Sequence, residues 1–227
     1  MKKIKTVFVI DRENNDLATP AVTPGAEWIM AGEGTATLKL DGTPVLKEGN
    51  TFYRRYAQKL NPKYARKKRM NEIVTFSGDM FKDAPENWVP LMDAPDPHTG
   101  HWPGWVPLSQ NNNDKPFWEA IHTLPEDAED GTYELIGPGF QQNIYGLDSH
   151  VLLKHGAMEF DIERSFDGIK EFLETHYLEG IVFHHPDPSV PMFKVRQKDF
   201  GFIWNPKSDP RRHPNWLETV PVAKMEF

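Results

Sequence analysis

The chain has 227 residues, 38% of them hydrophobic, no cysteine and a formal net charge of −7. This composition predicts a globular domain with a sizeable core, and the missing cysteines exclude disulfides, thiolate catalysis and Cys-ligated zinc. No apolar run approaches the roughly 18 residues of a membrane helix, and the apolar run at 7–10 is too short for a signal peptide, so we expect a cytoplasmic protein without a membrane partner.

Short stretches rich in β-branched and aromatic residues, separated by turn residues, predict a strand-rich fold. The predicted strands are 6–10, 36–40, 43–46, 51–56, 132–136, 151–154, 158–162, 180–184 and 192–197. Ser165 is a suitable N-cap for one helix, because apolar side chains recur on one face from Phe166 to Tyr177. Residues 77–118, rich in proline and tryptophan, predict an irregular insertion packed by its tryptophans.

Lys39 ends an alternating strand and is followed by an Asp41-Gly42 turn. A lysine in this place is a candidate nucleophile, because its neutral amine can attack a nucleotide α-phosphate and form a lysyl phosphoramidate. Lys-x-Asp-Gly is also an ordinary strand-and-turn sequence. The motifs that follow in the chain decide between these interpretations.

A basic segment runs from Arg54 to Arg69 and contains no acidic residue, although the chain is acidic overall. Tyrosines are interleaved among its cations. Such a segment suits phosphate contact and base stacking, whereas the alternative is a solvated basic helix face. The predicted RNA contacts are Arg54, Arg66, Lys67, Lys68 and Arg69.

Downstream motifs supply further groups that could bind a nucleotide. Arg55 lies on a strand expected to pair near the Lys39 strand, and an arginine there can reach a phosphate. Glu134 precedes a Gly-Pro-Gly turn, where a carboxylate can accept a hydrogen bond from a ribose hydroxyl. Phe160, in a Met-Glu-Phe-Asp-Ile strand, offers a ring that can stack on a purine.

The last motifs combine a carboxylate with cations. Glu179 begins a Glu-Gly-Ile-Val-Phe strand, in a place suited to holding Mg²⁺. Lys194 and Arg196 lie two residues apart on one face of a strand, which suits a grip on α- and β-phosphates.

The motifs, in this order, resemble those of the covalent nucleotidyltransferase superfamily of RNA ligases, DNA ligases and mRNA capping enzymes. The resemblance extends from position 39 to about 200. The Tyr-Glu-Leu-Ile-Gly-Pro-Gly segment at 133–139, with Gln141 behind it, is similar to RNA ligases. The Lys-Leu-Asp-Gly-Thr motif at 39–43 resembles compact stand-alone 5′-3′ RNA ligases of vertebrates and some viruses.

The resemblance implies a fold and a set of residue roles. The fold is α+β, a nucleotidyltransferase (ligase adenylation) domain over 1–227 with antiparallel sheets flanked by helices. Lys39 would carry AMP, and Glu179 would hold Mg²⁺ or Mn²⁺ through water. The implied nucleotide-binding residues are Lys39, Asp41, Arg55, Glu134, Phe160, Lys194 and Arg196.

One motif departs from the family pattern. The final motif is usually Lys-x-Lys, whereas this chain has Lys194-Val195-Arg196-Gln197-Lys198. Either Arg196 substitutes or Lys198 serves, because strand alternation would keep all three cations on one side.

The resemblance also implies an activity: a monomeric ATP-dependent RNA ligase that joins 5′-phosphate and 3′-hydroxyl RNA ends, with a role in RNA repair. The alternatives are a DNA ligase or GTP-dependent capping enzyme, and a non-catalytic RNA-binding protein with the same fold. Ligases of DNA and capping enzymes normally carry a C-terminal OB-fold domain. We expect no OB domain here, because only 201–227 follow the last motif strand.

Overall fold

The computed structural model describes residues 4–72 and 75–204 and the backbone of 224–225. The strands are β1 Lys5–Thr6, β2 Phe8–Asp11, β3 Leu17–Val22, β4 Thr35–Lys39, β5 Thr43–Glu48, β6 Thr51–Ala57, β7 Val89–Pro90, β8 Pro103–Pro107, β9 Gly131–Ile136, β10 Val151–Lys154, β11 Met158–Phe160, β12 Gly180–His184, β13 Phe193–Arg196 and β14 Lys224–Met225. The helices are α1 Glu27–Met30, α2 Pro62–Arg69, α3 Lys115–Ile121 and α4 Phe166–Thr175. Within the described ranges, no helix has the length and apolarity needed to cross a membrane.

The predicted α+β class, with antiparallel sheets and a few helices, is confirmed. Every predicted strand has an observed counterpart, with ends displaced by a few residues. The sequence does not predict strand β3, which contains Pro20, because a proline argues against a central strand. Pro20 is tolerated because β3 belongs to a separate two-stranded sheet with β2.

The chain divides into two compact units. The continuous unit is Thr43–Tyr133, and the discontinuous unit combines Ile4–Gly42 with the chain from Glu134 onward. The prediction of a single domain over 1–227 stays a prediction.

The discontinuous unit is built on a sheet with strand order β1-β13-β12-β4-β11-β14. β4 is paired antiparallel with β12 on one side and with β11 on the other, so the strand that ends in Lys39 lies inside the sheet. Its two faces differ. Ala36, Leu38, Ile181 and Val195 are buried in the hydrophobic core, whereas the face that carries Lys39 is polar.

Helix α4 closes the core side of this sheet. The Ser165 hydroxyl accepts the Gly168 N–H at 2.9 Å, so the predicted N-cap is confirmed. Ile169 and Leu173, one turn apart, are fully buried in the same core as the sheet residues. The predicted apolar face therefore packs as expected.

In the continuous unit the strands β5, β6, β8 and β7 are neighbours in that order. The predicted insertion at 77–118 is less irregular than expected, because β8 pairs with β6, with Arg55 opposite Trp105. The sequence does not predict this strand, because β8 begins and ends with a proline, Pro103 and Pro107. Packing by tryptophans is confirmed, since the Trp102 ring lies 5.3 Å from those of Phe81 and Trp88.

Candidate functional site

Lys39 lies in a row of residues that crosses three strands. Gly180 of β12 is opposite Lys39 on one side and opposite Arg196 of β13 on the other. Directly opposed residues point to the same face of a sheet, so Lys39 and Arg196 share a face. Gly180 is required between them, because a Cβ there would lie 2.2 Å from the Val195 carbonyl oxygen.

The next row on this face is Thr37, Val182 and Lys194. Burial lowers the pKa of Lys194 to about 8, and the charges of Arg196 and Lys39 act in the same direction. The sheet therefore gathers three cationic side chains, of which Lys39 is paired with Glu179 and Arg196 with Asp199.

Glu179, one residue before β12, forms an ion pair with Lys39. The Lys39 ammonium donates a hydrogen bond to the Glu179 carboxylate, and the two side chains are 22% and 15% exposed. Burial raises the pKa of Glu179 despite the opposing charge of Lys39, and the nearby Asp41 raises it further. The structure thus brings the predicted nucleophile and the predicted metal residue into direct contact.

The Asp41-Gly42 turn is fixed by several hydrogen bonds. The Asp41 N–H donates to the Tyr145 hydroxyl at 2.7 Å, and the Asp41 carboxylate accepts from the Trp204 indole at 3.0 Å. The Gly42 N–H donates to Glu134 at 2.9 Å. A Cβ at Gly42 would lie 2.2 Å from the Leu135 carbonyl oxygen, so the turn has no room for another residue type.

Glu134, the predicted ribose ligand, is 5% exposed and has two partners. One carboxylate oxygen accepts from Gly42, and the other lies 2.8 Å from Nε2 of His155. Each carboxylate oxygen can accept more than one hydrogen bond, so these contacts are compatible with a third. His155 has no motif that would have identified it.

The second and third cations of the final motif, Arg196 and Lys198, differ in placement. The Arg196 guanidinium and backbone N–H both donate to buried Asp199, each at 2.8 Å. Strand alternation does not extend to Lys198, because the strand ends at Arg196 and a 3-10 turn begins at Gln197. The expectation that alternation carries Lys198 alongside the other two is wrong.

Phe160 does not reach the Lys39 face. It is opposite Ala36 in the β4–β11 register, is 4% exposed and belongs to the hydrophobic core. Its ring lies 5.2 Å from that of Phe172 on α4. The prediction that Phe160 stacks on a purine is corrected, because the ring is engaged on the opposite side of the sheet.

The predicted residues of the continuous unit have mixed surroundings. The Arg54 guanidinium lies 3.0 Å from the carboxylate of Asp114, which is 1% exposed, so Arg54 is engaged within its own unit. Its predicted RNA contact stays a prediction. Arg55 lies 5.8 Å over the Trp105 ring. Its predicted phosphate contact stays a prediction.

The rest of the basic segment forms helix α2. Arg66, Lys67 and Arg69 are exposed, and no residue of the helix is buried. Lys68 is also exposed but donates to the Thr99 carbonyl oxygen at 2.6 Å. The helix thus presents a solvated basic face, and its binding of RNA stays a prediction.

The oxygen donors that suit a magnesium ion are few. Across the described parts of the chain, no group of three or more histidine, aspartate or glutamate side chains is arranged around a common point. Asp41 is nevertheless close enough to Glu179 for its charge to raise the pKa of the Glu179 carboxyl group. One or two carboxylates with water and phosphate oxygens are a common environment for Mg²⁺, so these residues fit such an ion.

Comparison with known proteins gives relatives of one kind. The chain is 29% identical over 170 residues to "RNA ligase 1" of Pongo abelii, covering 55% of this chain and 50% of the relative. It is 26% identical over 235 residues to "RNA ligase 1" of Danio rerio, covering 85% and 67%. The chain spans half the length of the mammalian relatives it matches, and no family model matches it. The predicted resemblance to RNA ligases is confirmed.

Proposed function

We propose that the chain is an ATP-dependent RNA ligase with a nucleotidyltransferase fold, which joins 5′-phosphate and 3′-hydroxyl RNA ends through AMP bound to Lys39. The observation that carries this proposal is the contact of Lys39 with Glu179, on a sheet face shared with Lys194 and Arg196. The similarity to proteins named RNA ligase 1 supports RNA as the substrate and agrees with a role in RNA repair.

In the first step, Lys39 must lose a proton before its amine can attack. Glu179 accepts a hydrogen bond from that ammonium, and a carboxylate with a raised pKa is a stronger proton acceptor than an ordinary one. The Nζ lone pair then forms a bond to the α-phosphorus. The bond from that phosphorus to the bridging oxygen breaks, and pyrophosphate leaves with the electron pair.

The leaving group carries charge that Lys194 and Arg196 are placed to offset. Cations aimed at developing charge stabilise a transition state more than a ground state. Asp199 holds the Arg196 guanidinium in one orientation before ATP arrives. Mg²⁺ or Mn²⁺, held by Glu179 and Asp41, would supply further electrophilic stabilisation of phosphate oxygens.

The nucleoside would lie along the same face. The Glu134 carboxylate would accept a hydrogen bond from a ribose hydroxyl, and its contact with His155 would hold it in position. Because Phe160 lies in the core, we propose that the base rests on Val182, which is partly exposed in the row next to Lys39. AMP then passes to an RNA 5′-phosphate, and a 3′-hydroxyl attacks that activated phosphate, releases AMP and closes the phosphodiester.

Incubation with ATP or GTP labelled at the α-phosphate, followed by a denaturing gel, tests the proposal. We expect covalent labelling with ATP and not with GTP, and joining of 5′-phosphorylated RNA after label transfer. Efficient GMP transfer would favour a capping enzyme. Joining of nicked DNA in preference to RNA would favour a DNA ligase, and no labelling would favour a non-catalytic RNA-binding protein.

Helix α2 gives a second prediction, that its cations hold the RNA backbone. Replacing Arg66, Lys67 and Arg69 with alanine should weaken RNA binding, because contacts with phosphates are lost. It should also flatten the salt dependence, since each lost contact lowers the slope of log K against log salt by about 0.7 for single strands. Lys68 is left in place because it anchors the Thr99 carbonyl oxygen. The measurement is RNA affinity across a salt series, alongside self-labelling with ATP.

Self-labelling should survive this triple substitution. The control is Lys170→Ala, which removes an exposed cation from α4. Loss of binding and labelling together would make α2 structural or part of the ATP site, and unchanged binding would place the RNA path elsewhere.

A further inference from the structure

Trp204 belongs to the candidate site but has no part in the chemistry described above. Its indole Nε1–H donates to Oδ2 of Asp41 at 3.0 Å, across 163 positions of the chain. Asp41 itself is two residues from Lys39. A side chain far away in sequence therefore fixes the carboxylate beside the proposed nucleophile.

Trp204 is supported by other aromatic residues. Its ring lies 4.8 Å from that of buried Tyr177, at an interplanar angle of 36°. The Tyr177 hydroxyl donates to the carbonyl oxygen of Ile144 at 3.4 Å, and the adjacent residue is Tyr145. The Tyr145 hydroxyl accepts the Asp41 N–H. We call Tyr145, Tyr177 and Trp204 the aromatic clamp, since it holds Asp41 by both backbone and side chain.

The chemistry of the donor matters. An indole N–H is a neutral donor with no acceptor capacity, so it orients the carboxylate and leaves its negative charge intact. A lysine or arginine in this place would cancel that charge. Trp204 therefore directs the Asp41 carboxylate without adding a positive charge beside it, which suits a carboxylate next to a phosphate-transfer centre.

We propose that Trp204 is a positioning residue for nucleotide transfer, which orients the Asp41 carboxylate at Lys39 through the indole N–H. The inference rests on the function proposed above. Trp204→Phe is the direct test, because it keeps an aromatic ring against Tyr177 and removes the donor. Loss of a hydrogen bond to a charged group changes an equilibrium or rate constant by about 10-fold or more. The labelling rate at saturating ATP should therefore fall about 10-fold, with KM for ATP nearly unchanged.

Trp118→Phe is a matched control. The Trp118 indole donates to the Ser109 carbonyl oxygen at 2.9 Å in the continuous unit, so the same chemical change is made away from Asp41. Its labelling rate should equal that of the unaltered protein. A slowing by Trp118→Phe equal to that by Trp204→Phe would overturn the inference.

A second measurement does not depend on activity or on the folding of the Trp204 variant. In protein with ¹⁵N-labelled tryptophan, Asp41→Ala should move the Trp204 indole resonance and leave the Trp118 resonance in place. An unmoved Trp204 resonance would overturn the inference. Failure of the unaltered protein to take label would overturn the proposed function as well, whereas equal labelling of Trp204→Phe and unaltered protein would overturn this inference alone.

Discussion

Replacing Lys39 with arginine is expected to abolish covalent AMP labelling while leaving the fold intact. A guanidinium stays protonated at any working pH and cannot attack phosphorus, yet it can keep the ion pair with Glu179. The label on a denaturing gel should fall to background. Circular dichroism and a thermal melt should match those of the unaltered protein.

Lys39→Ala should also abolish labelling, but with a cost in stability. It leaves the Glu179 carboxylate, 15% exposed, without its cation, and a charged group that loses its partner costs on the order of 1–3 kcal/mol. Lys47→Ala is the control, since it breaks the Lys47–Asp130 ion pair at 2.8 Å in the continuous unit and should leave labelling unchanged. ATP-dependent labelling of Lys39→Arg would show that another residue is the nucleophile.

Glu179→Gln is expected to reduce labelling by about 10- to 100-fold, the range found when a supporting carboxylate of a metal site is lost. Glutamine has the same shape but neither accepts the Lys39 proton nor carries charge for a metal ion. The rate of label incorporation at saturating ATP and Mg²⁺ measures the effect. Glu171→Gln, an exposed change on α4, should have none.

The same substitution should not destabilise the protein at neutral pH. The folded pKa of Glu179 is raised above its ordinary 4.5, chiefly by burial. Its contribution to stability is therefore present below pH 4.5 and is lost as the pH rises through the raised folded value. At pH 7 the ionised Glu179 carboxylate disfavours folding, whereas its replacement leaves the Lys39 ammonium without its partner. These opposed effects should leave the melting temperature of Glu179→Gln close to that of the unaltered protein. Reduced labelling in a protein that has also lost stability would contradict this account of the site.

The sequence contained the parts of the site that depend on local pattern. Alternation placed Lys39 at the end of β4 and put Lys194 and Arg196 on one face of β13, and both placements are found. The same rule, had it been applied to Phe160, would have indicated a core position, because Met158, Phe160 and Ile162 alternate with charged residues and all three are buried. The purine-stacking role was predicted from the aromatic ring and implied again by the resemblance, and the β4–β11 register contradicts it.

Other parts had no local signal. Tyr145 and Trp204 meet Asp41 across 104 and 163 positions, and no spacing rule links residues so far apart. Strand alternation ends before Lys198 because a turn begins at Gln197, whose buried amide donates to the carbonyl oxygens of Leu173 and His176. That turn depends on helix α4, so strand alternation could not predict it.

The most direct measurement of the central claim is the site of the AMP adduct in the unaltered protein. After incubation with ATP and Mg²⁺, proteolysis and mass spectrometry should find AMP on the peptide that contains Lys39, with fragment ions assigning it to that lysine. The adduct should disappear on addition of RNA with a 5′-phosphate. An adduct on Lys194 or on any other residue, or none at all, would contradict the proposal that Lys39 is the nucleophile of an RNA ligase.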